Sequence, residues 1–324
     1  MRRPPRPAAP GLPGLRAAPA SPALPALPDL DELLALRGAA HGLVLSARAP
    51  ARARLRGAHA SAQRGRGLEF QEVRPYVSGD DPRTIDWRVT ARRGRPHTKL
   101  FCEERERPVW LLVDLSPALF FGSRLQLKSA LCLRAAALLA WTAALGGDRV
   151  GAVLAAGERG TPVLPPRARQ AGVLPLLDAL LALQPRAPAA DTMPCLLQGL
   201  RTLRPLVRPG SLILVLSDFA QLDQEVETLL PALASGGECR LFWITDALEE
   251  RALPNGRFRA GLPGRLHILD GESVRSSWHS TWRAREGRLL GLSQQIGAPL
   301  MRLDTGEPAE QALRRRLQGR QSAA

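Results

Sequence analysis

From residue 109 onward the chain alternates short, unbroken apolar runs with longer Ala/Leu-rich segments of helical character. The run 109–113 contains nothing polar, which suits a strand covered on both faces, as in a parallel sheet, better than a half-solvated hairpin. It ends in Asp114-Leu115-Ser116-Pro117, and Gly122 precedes the next helical stretch. Read this way, strands are predicted over 109–114, 149–155, 211–217, 239–245, 265–270 and 299–303, with 160–164 as a short edge strand. Helices are predicted over 124–145, 168–183, 193–204, 223–235, 273–296 and 308–319. Strict alternation of this kind predicts an α/β fold: a doubly wound, mainly parallel sheet with right-handed crossovers.

Upstream the pattern changes. Residues 1–28 are rich in proline and arginine and read as a disordered lead. Asp29 and Asp31 suit a helix start, so a short helix is expected over 30–36, followed by an arginine-rich linker to residue 67. Over 68–107 apolar residues are few, but Phe70, Tyr76, Ile85, Trp87, Leu100 and Phe101 recur between charges of both signs. Turn signals at Ser78-Gly79-Asp80-Asp81-Pro82 and Arg92-Arg93-Gly94-Arg95-Pro96 separate short extended pieces, which predicts a small β-rich extension. Asp80, Asp81 and Asp86 are expected to pair with Arg74, Arg83, Arg88, Arg92 and Arg93. Trp87 fits either a packing anchor or a partner interface. The expected organisation is therefore lead (1–28), helix and linker (29–67), charged extension (68–107), α/β domain (108–305), and C-terminal helix with tail (306–324).

Charge modifies this picture. The formal net charge is +15, which invites a nucleic-acid reading. Against that, the arginines are scattered and no aromatics alternate with them as stacking platforms. Cys102, Cys132, Cys195 and Cys239 form no Cys-x-x-Cys pair, so buried, reduced thiols are expected rather than disulfides or a zinc site. No membrane span is expected, and the proline-rich N-terminus does not read as a signal peptide. A cytoplasmic location is expected, peripheral to a membrane only through a partner.

Three polar loops carry the candidate chemistry: Asp114-Leu115-Ser116, Asp191-Thr192 and Ser217-Asp218. Two of them fall at carboxyl ends of predicted strands, where open α/β sheets bind ligands. Their hydroxyls and carboxylates are the hard oxygens that Mg2+ or Mn2+ prefers. With Asp114 and Ser116 after one strand, Thr192 in a later loop and Asp218 after a middle strand, the pattern resembles the metal-ion-dependent adhesion site of von Willebrand factor A domains. Farther upstream, Gly67-Leu68-Glu69-Phe70, Val73-Arg74-x-Tyr76, Gly79-Asp80-Asp81-x-Arg83-x-Ile85-Asp86-Trp87 and Thr90-Ala91-Arg92-x-Gly94 resemble the signature of the family called "domain of unknown function 58". Lys99-x-Phe101, Glu103-Glu104 and Gly147-Asp148-Arg149-Val150-Gly151 continue the likeness.

The resemblance implies an A-domain core, a charged extension, and a working partnership with MoxR-type AAA+ ATPases. It implies a non-enzymatic adaptor that meets an acidic protein surface, serving assembly or maturation of another complex. One departure stands out: where the adhesion-site pattern has a second serine, this chain has Ala118. The competing reading gives Asp114 and Asp218 to helix capping and loop amides. Two rival functions follow from the residues, a nucleic-acid binder and a Mg/Mn-dependent hydrolase using Asp114, Asp218 and the 80–86 carboxylates. No Gly-x-x-x-x-Gly-Lys-Ser/Thr loop, Gly-x-Ser-x-Gly elbow or His-Glu-x-x-His helix occurs in the chain.

Overall fold

The computed structural model describes residues 27–45, 68–77, 82–103, 106–189, 194–262 and 265–318. Two compact units emerge, one of residues 46–106 and one of residues 1–45 with 107–324. The first helix, α1 (Leu30–Ala40), is capped by the Asp29 carboxylate, which accepts from the Glu32 amide at 2.9 Å. It runs longer than the sequence suggested. Leu33, Leu36 and Ala40 join the core of the larger unit, so this helix belongs to that unit and not to a separate helix-and-linker segment over 29–67.

In the smaller unit, β1 (Leu68–Pro75), α2 (Trp87–Arg93) and β2 (His97–Glu103) follow in order. β1 and β2 pair antiparallel from Leu68 against Glu103 to Pro75 against His97. The helix α2 was not expected in a β-rich extension, because Trp87–Arg93 has no apolar periodicity. Its two ends explain it. Asp86 accepts from the Arg88 and Val89 amides at 3.0 and 3.1 Å, and Gly94 closes the helix at φ 70°, a left-handed conformation suited to glycine. His97 is buried and donates Nδ1–H to the Arg95 carbonyl at 2.7 Å.

The larger unit continues with β3 (Pro108–Asp114), α3 (Lys128–Leu145), β4 (Arg149–Ala155), β5 (Val163–Ala168), α4 (Gln170–Leu183), α5 (Cys195–Leu203) and β6 (Ser211–Ser217). Then come α6 (Gln224–Ala234), β7 (Gly237–Thr245), α7 (Ala247–Arg251), β8 (Arg257–Leu262), β9 (Arg265–Asp270), α8 (Gly271–Gln295), β10 (Leu300–Asp304) and α9 (Ala309–Gln318). Six strands form one sheet in the order β10-β7-β6-β3-β4-β5. All neighbours are parallel except β4–β5 at the edge, which is antiparallel. The sheet is thus mixed, mostly parallel and flanked by helices, the α/β architecture that the alternation predicts. The strand at 265–270 is a correction: it pairs with β8 in a separate antiparallel hairpin and does not enter the sheet.

The unbroken apolar run in β3 is explained by two cores. Val109, Leu111 and Val113 face one, shared with α1, α3, α4 and α9, whereas Trp110 and Leu112 face the other, shared with α5, α6 and α8. α3 is apolar nearly all round because the sheet lies on one side and other helices on the rest. By length and composition α3 could cross a membrane, yet 83% of it is buried inside the fold as the central helix. It starts four residues later than the pattern suggested. Residues 122–127 fold back, with the Lys128 amide donating to the Phe121 carbonyl at 2.7 Å. Gly122 permits this, since a Cβ there would lie 2.4 Å from the Gln126 carbonyl oxygen.

Candidate functional site

Adjacent parallel strands bring their ends to one rim, and each of four neighbours finishes in the same chemistry. β3 ends at Asp114, β6 at Ser217-Asp218, β7 at Thr245-Asp246 and β10 at Asp304-Thr305. Asp114, Asp218 and Asp246 are buried, so their oxygens must be satisfied internally. They are. Asp114 Oδ1 accepts from the Ser116 amide at 2.9 Å, and Oδ2 accepts from the Ser217 hydroxyl at 2.6 Å. Asp218 Oδ1 accepts from the Ala220 amide at 3.0 Å. Asp246 accepts from the Ser123 amide and hydroxyl, the Leu248 amide and the Thr305 hydroxyl, and it caps α7 in a reciprocal box with Glu249.

The cation at this rim is Lys128, the first residue of α3. Its Nζ donates to Asp218 Oδ2 at 2.7 Å and to Glu249 Oε1 at 2.9 Å. The side chains of Lys128 and Asp218 are 3% and 4% exposed, so the pair is sealed from solvent. Arg285 approaches Glu249 at 4.0 Å from α8. Beneath them, Trp243 donates its indole N–H to the Asp218 carbonyl at 3.0 Å and stacks on Trp282 with ring centroids 4.9 Å apart. Arg302 lies over both rings.

Burial dictates how these groups ionise. Desolvation, followed by the negative charge of Asp218, pushes the Asp114 carboxyl from 3.8 up to about 7 despite its hydrogen bonds from Ser217 and Ser116. Burial works to raise Asp218 as well, but the charge and hydrogen bond of Lys128 outweigh it and hold that carboxyl below its ordinary value. Lys128 mirrors this: burial works to lower it, and the charges of Asp218 and Glu249 raise it above the ordinary lysine range. Cys132, whose Sγ lies 3.7 Å from the Asp114 carbonyl oxygen, is pushed well above the usual thiol value by burial and by Asp114 and Asp218. Cys132, Cys195 and Cys239 are buried and stand outside any disulfide.

Of the expected ligand set, Asp114, Ser116 and Asp218 meet at this rim, and Thr192 lies outside the described residues. The donors present do not fit a divalent ion well. Asp218 Oδ2 is engaged by an ammonium, Asp114 Oδ2 by a hydroxyl, and no cluster of three or more His, Cys, Asp or Glu side chains suited to a metal occurs among the described residues. Both carboxylates also accept from loop amides. Lys128 and Glu249 were not singled out from the sequence. The usable signals were a lysine, one of two in the chain, opening an apolar core helix, and the Asp246-x-x-Glu249 capping box.

The signature residues lie in the smaller unit. Arg74 donates to the Pro75 carbonyl at 3.0 Å, and the Tyr76 amide donates to the Pro96 carbonyl at 2.9 Å. Asp86 caps α2, Arg83 is exposed just before it, and Arg92 is exposed in its last turn. Trp87 is 70% exposed. Asp80, Asp81 and the Glu69 side chain lie outside the described residues.

Comparison with known proteins places these features. The chain is 37% identical over 167 residues to "Uncharacterized protein Rv1480" of Mycobacterium tuberculosis and to "Uncharacterized protein Mb1516" of Mycobacterium bovis, covering 51% of this chain and 51% of each relative. It thus spans about half the length of the curated relatives it matches. Among solved structures, an aerotolerance-related membrane protein from Bacteroides fragilis aligns with TM-score 0.40 and 13% identity, over 66% of this chain and 99% of that one. A family match runs from the middle of β1 through the rim strands β3, β6 and β7 to the start of α8. Over residues 72–273, then, this chain belongs to the family described as "Protein of unknown function DUF58".

Proposed function

We propose that the chain is a non-enzymatic adaptor that binds an acidic protein surface through its signature unit, and that its partner is a MoxR-type AAA+ ATPase. The observation that carries this reading is Trp87. It stands 70% exposed on α2, with Arg88, Arg92 and Arg93 exposed on the same short helix. A large indole left in water gives up the burial that tryptophan otherwise supplies. Tryptophan and arginine are also the residues that most often dominate binding energy at interfaces. The arginines on the same helix add steering towards a carboxylate-rich surface. The ATPase enters from the family resemblance. In such a pair the ATPase performs work and this chain selects or presents what is worked on, as in assembly or maturation of another complex.

The test is size-exclusion co-elution of the purified chain with a MoxR-type ATPase in the presence of nucleotide, with its hydrolysis rate as second readout. Association weakened about tenfold or more by Trp87→Ala would support the reading, on the scale of an interface hot spot. Absence of co-elution together with an unchanged hydrolysis rate would refute the partner, and wild-type affinity in Trp87→Ala would refute the surface. The net charge of +15 keeps one rival in view, a nucleic-acid binder. Tight duplex binding that falls steeply with salt would favour it instead.

A further inference from the structure

We infer that the Lys128 ammonium is the resident cation of the strand rim and holds, between Asp218 and Glu249, the place a divalent ion would need. Its Nζ lies 2.7 Å from Asp218 Oδ2 and 2.9 Å from Glu249 Oε1, with the lysine side chain 3% exposed. A Mg2+ ion binds oxygens at about 2.0–2.1 Å, so to use Asp218 Oδ2 it must displace the ammonium. The ammonium is itself buried, with its lysine side chain 3% exposed. Lys128 opens the core helix, and Leu127, Ser129 and Ala130 beside it are all buried. Retaining both cations on one carboxylate would set like charges against each other. While Asp114 is protonated, Lys128 and Arg285 match the charges of Asp218 and Glu249.

The residue type fits the task. An ammonium is a compact point charge with three donors, whereas a guanidinium is a planar fork that spans a wider site. Lys99 is the only other lysine in this arginine-rich chain, so lysine stands here against the trend of the sequence. The Phe121 ring, 5.8 Å from Nζ at its centroid, adds a π face to the cation's surroundings. Ala118 is an independent sign. It stands in the turn Pro117–Leu119, at the position where the adhesion-site pattern would supply a hydroxyl, and a rim that carries its own cation has no use for that ligand.

Mn2+ titration of the full chain, followed by electron paramagnetic resonance and thermal melting, tests the inference. The wild type is expected to leave millimolar Mn2+ free and to melt at one temperature with Mn2+ or with a chelator. Lys128→Ala is expected to melt lower and to recover part of the loss on adding Mn2+, with no recovery in the Lys128→Ala, Asp218→Asn double variant. Mn2+ binding by the wild type that Asp218→Asn abolishes would overturn the inference. So would a folded Lys128→Ala protein that melts like the wild type, or one whose loss Mn2+ leaves untouched. Should Lys128→Ala not fold, Lys128→Met keeps the aliphatic stem for the same comparison, and the wild-type titration decides without any variant.

Discussion

Replacing Lys128 by methionine keeps the stem that packs in the rim and removes the ammonium, its charge and its two hydrogen bonds. The Asp218 carboxylate, 4% exposed, then loses the ammonium at 2.7 Å and retains the Ala220 amide as a hydrogen-bond donor. Removing one partner of a buried pair costs about 3–5 kcal/mol, because the remaining charge is stranded in a poor solvent. At about 2–4 °C per kcal/mol for a domain of this size, melting should fall by roughly 10 °C. Asp218→Asn alone should cost less, about 2 kcal/mol, since Glu249 still neutralises the lysine at 2.9 Å. Removing both charges together should cost little more than the smaller single effect, giving a coupling energy of about 3 kcal/mol. Urea unfolding followed by tryptophan fluorescence reads all four proteins of the cycle. Because the Asp218 carboxyl is held below its ordinary value, its share of this stability is present above the unfolded carboxylate range and is lost as pH falls through the folded value. The cycle therefore belongs near pH 8. Single effects that add to within about 0.5 kcal/mol would refute a direct Lys128–Asp218 pair.

Two further outcomes follow from the same geometry. Asp114, raised from 3.8 to about 7, is protonated in the fold but ionised in the unfolded chain between those values, so stability should fall as pH rises across that window. Asp114→Asn should remove this dependence and stabilise the protein by up to about 4 kcal/mol above pH 7, with no gain near pH 4; an equal effect at both pH values would contradict it. Leu33→Ala should cost about 2–5 kcal/mol in urea unfolding, since Leu33 is fully buried in the core of the larger unit, whereas a helix packed on nothing would lose almost nothing.

Much of the scaffold was legible because its strands are buried on both faces and so carry continuous apolar runs. The runs ending at Asp114 and Ser217 gave both the strands and the rim, and their adjacency followed from the parallel topology. What escaped the sequence depends on contacts across long separations. Lys128 meets Asp218 across 90 residues and Glu249 across 121, and no local pattern announces either partner. The helix α2 escaped for a different reason: Trp87–Arg93 offers no apolar face, and only the Asp86 cap and Gly94 stop mark its ends. The strand at 265–270 was visible, but its antiparallel partner at 257–262 is short and charged, so the hairpin was mistaken for part of the parallel sheet.

The most direct measurement uses the rarity of lysine in this chain. With only Lys99 and Lys128, a sample labelled with side-chain 15N lysine gives two ammonium resonances in NMR. The account predicts that Lys128 gives a signal protected from exchange, lost in Lys128→Met, that stays protonated above the ordinary lysine value of 10.5. A Lys128 signal that exchanges rapidly with water and titrates at that ordinary value would place its ammonium in solvent and leave the rim without its cation.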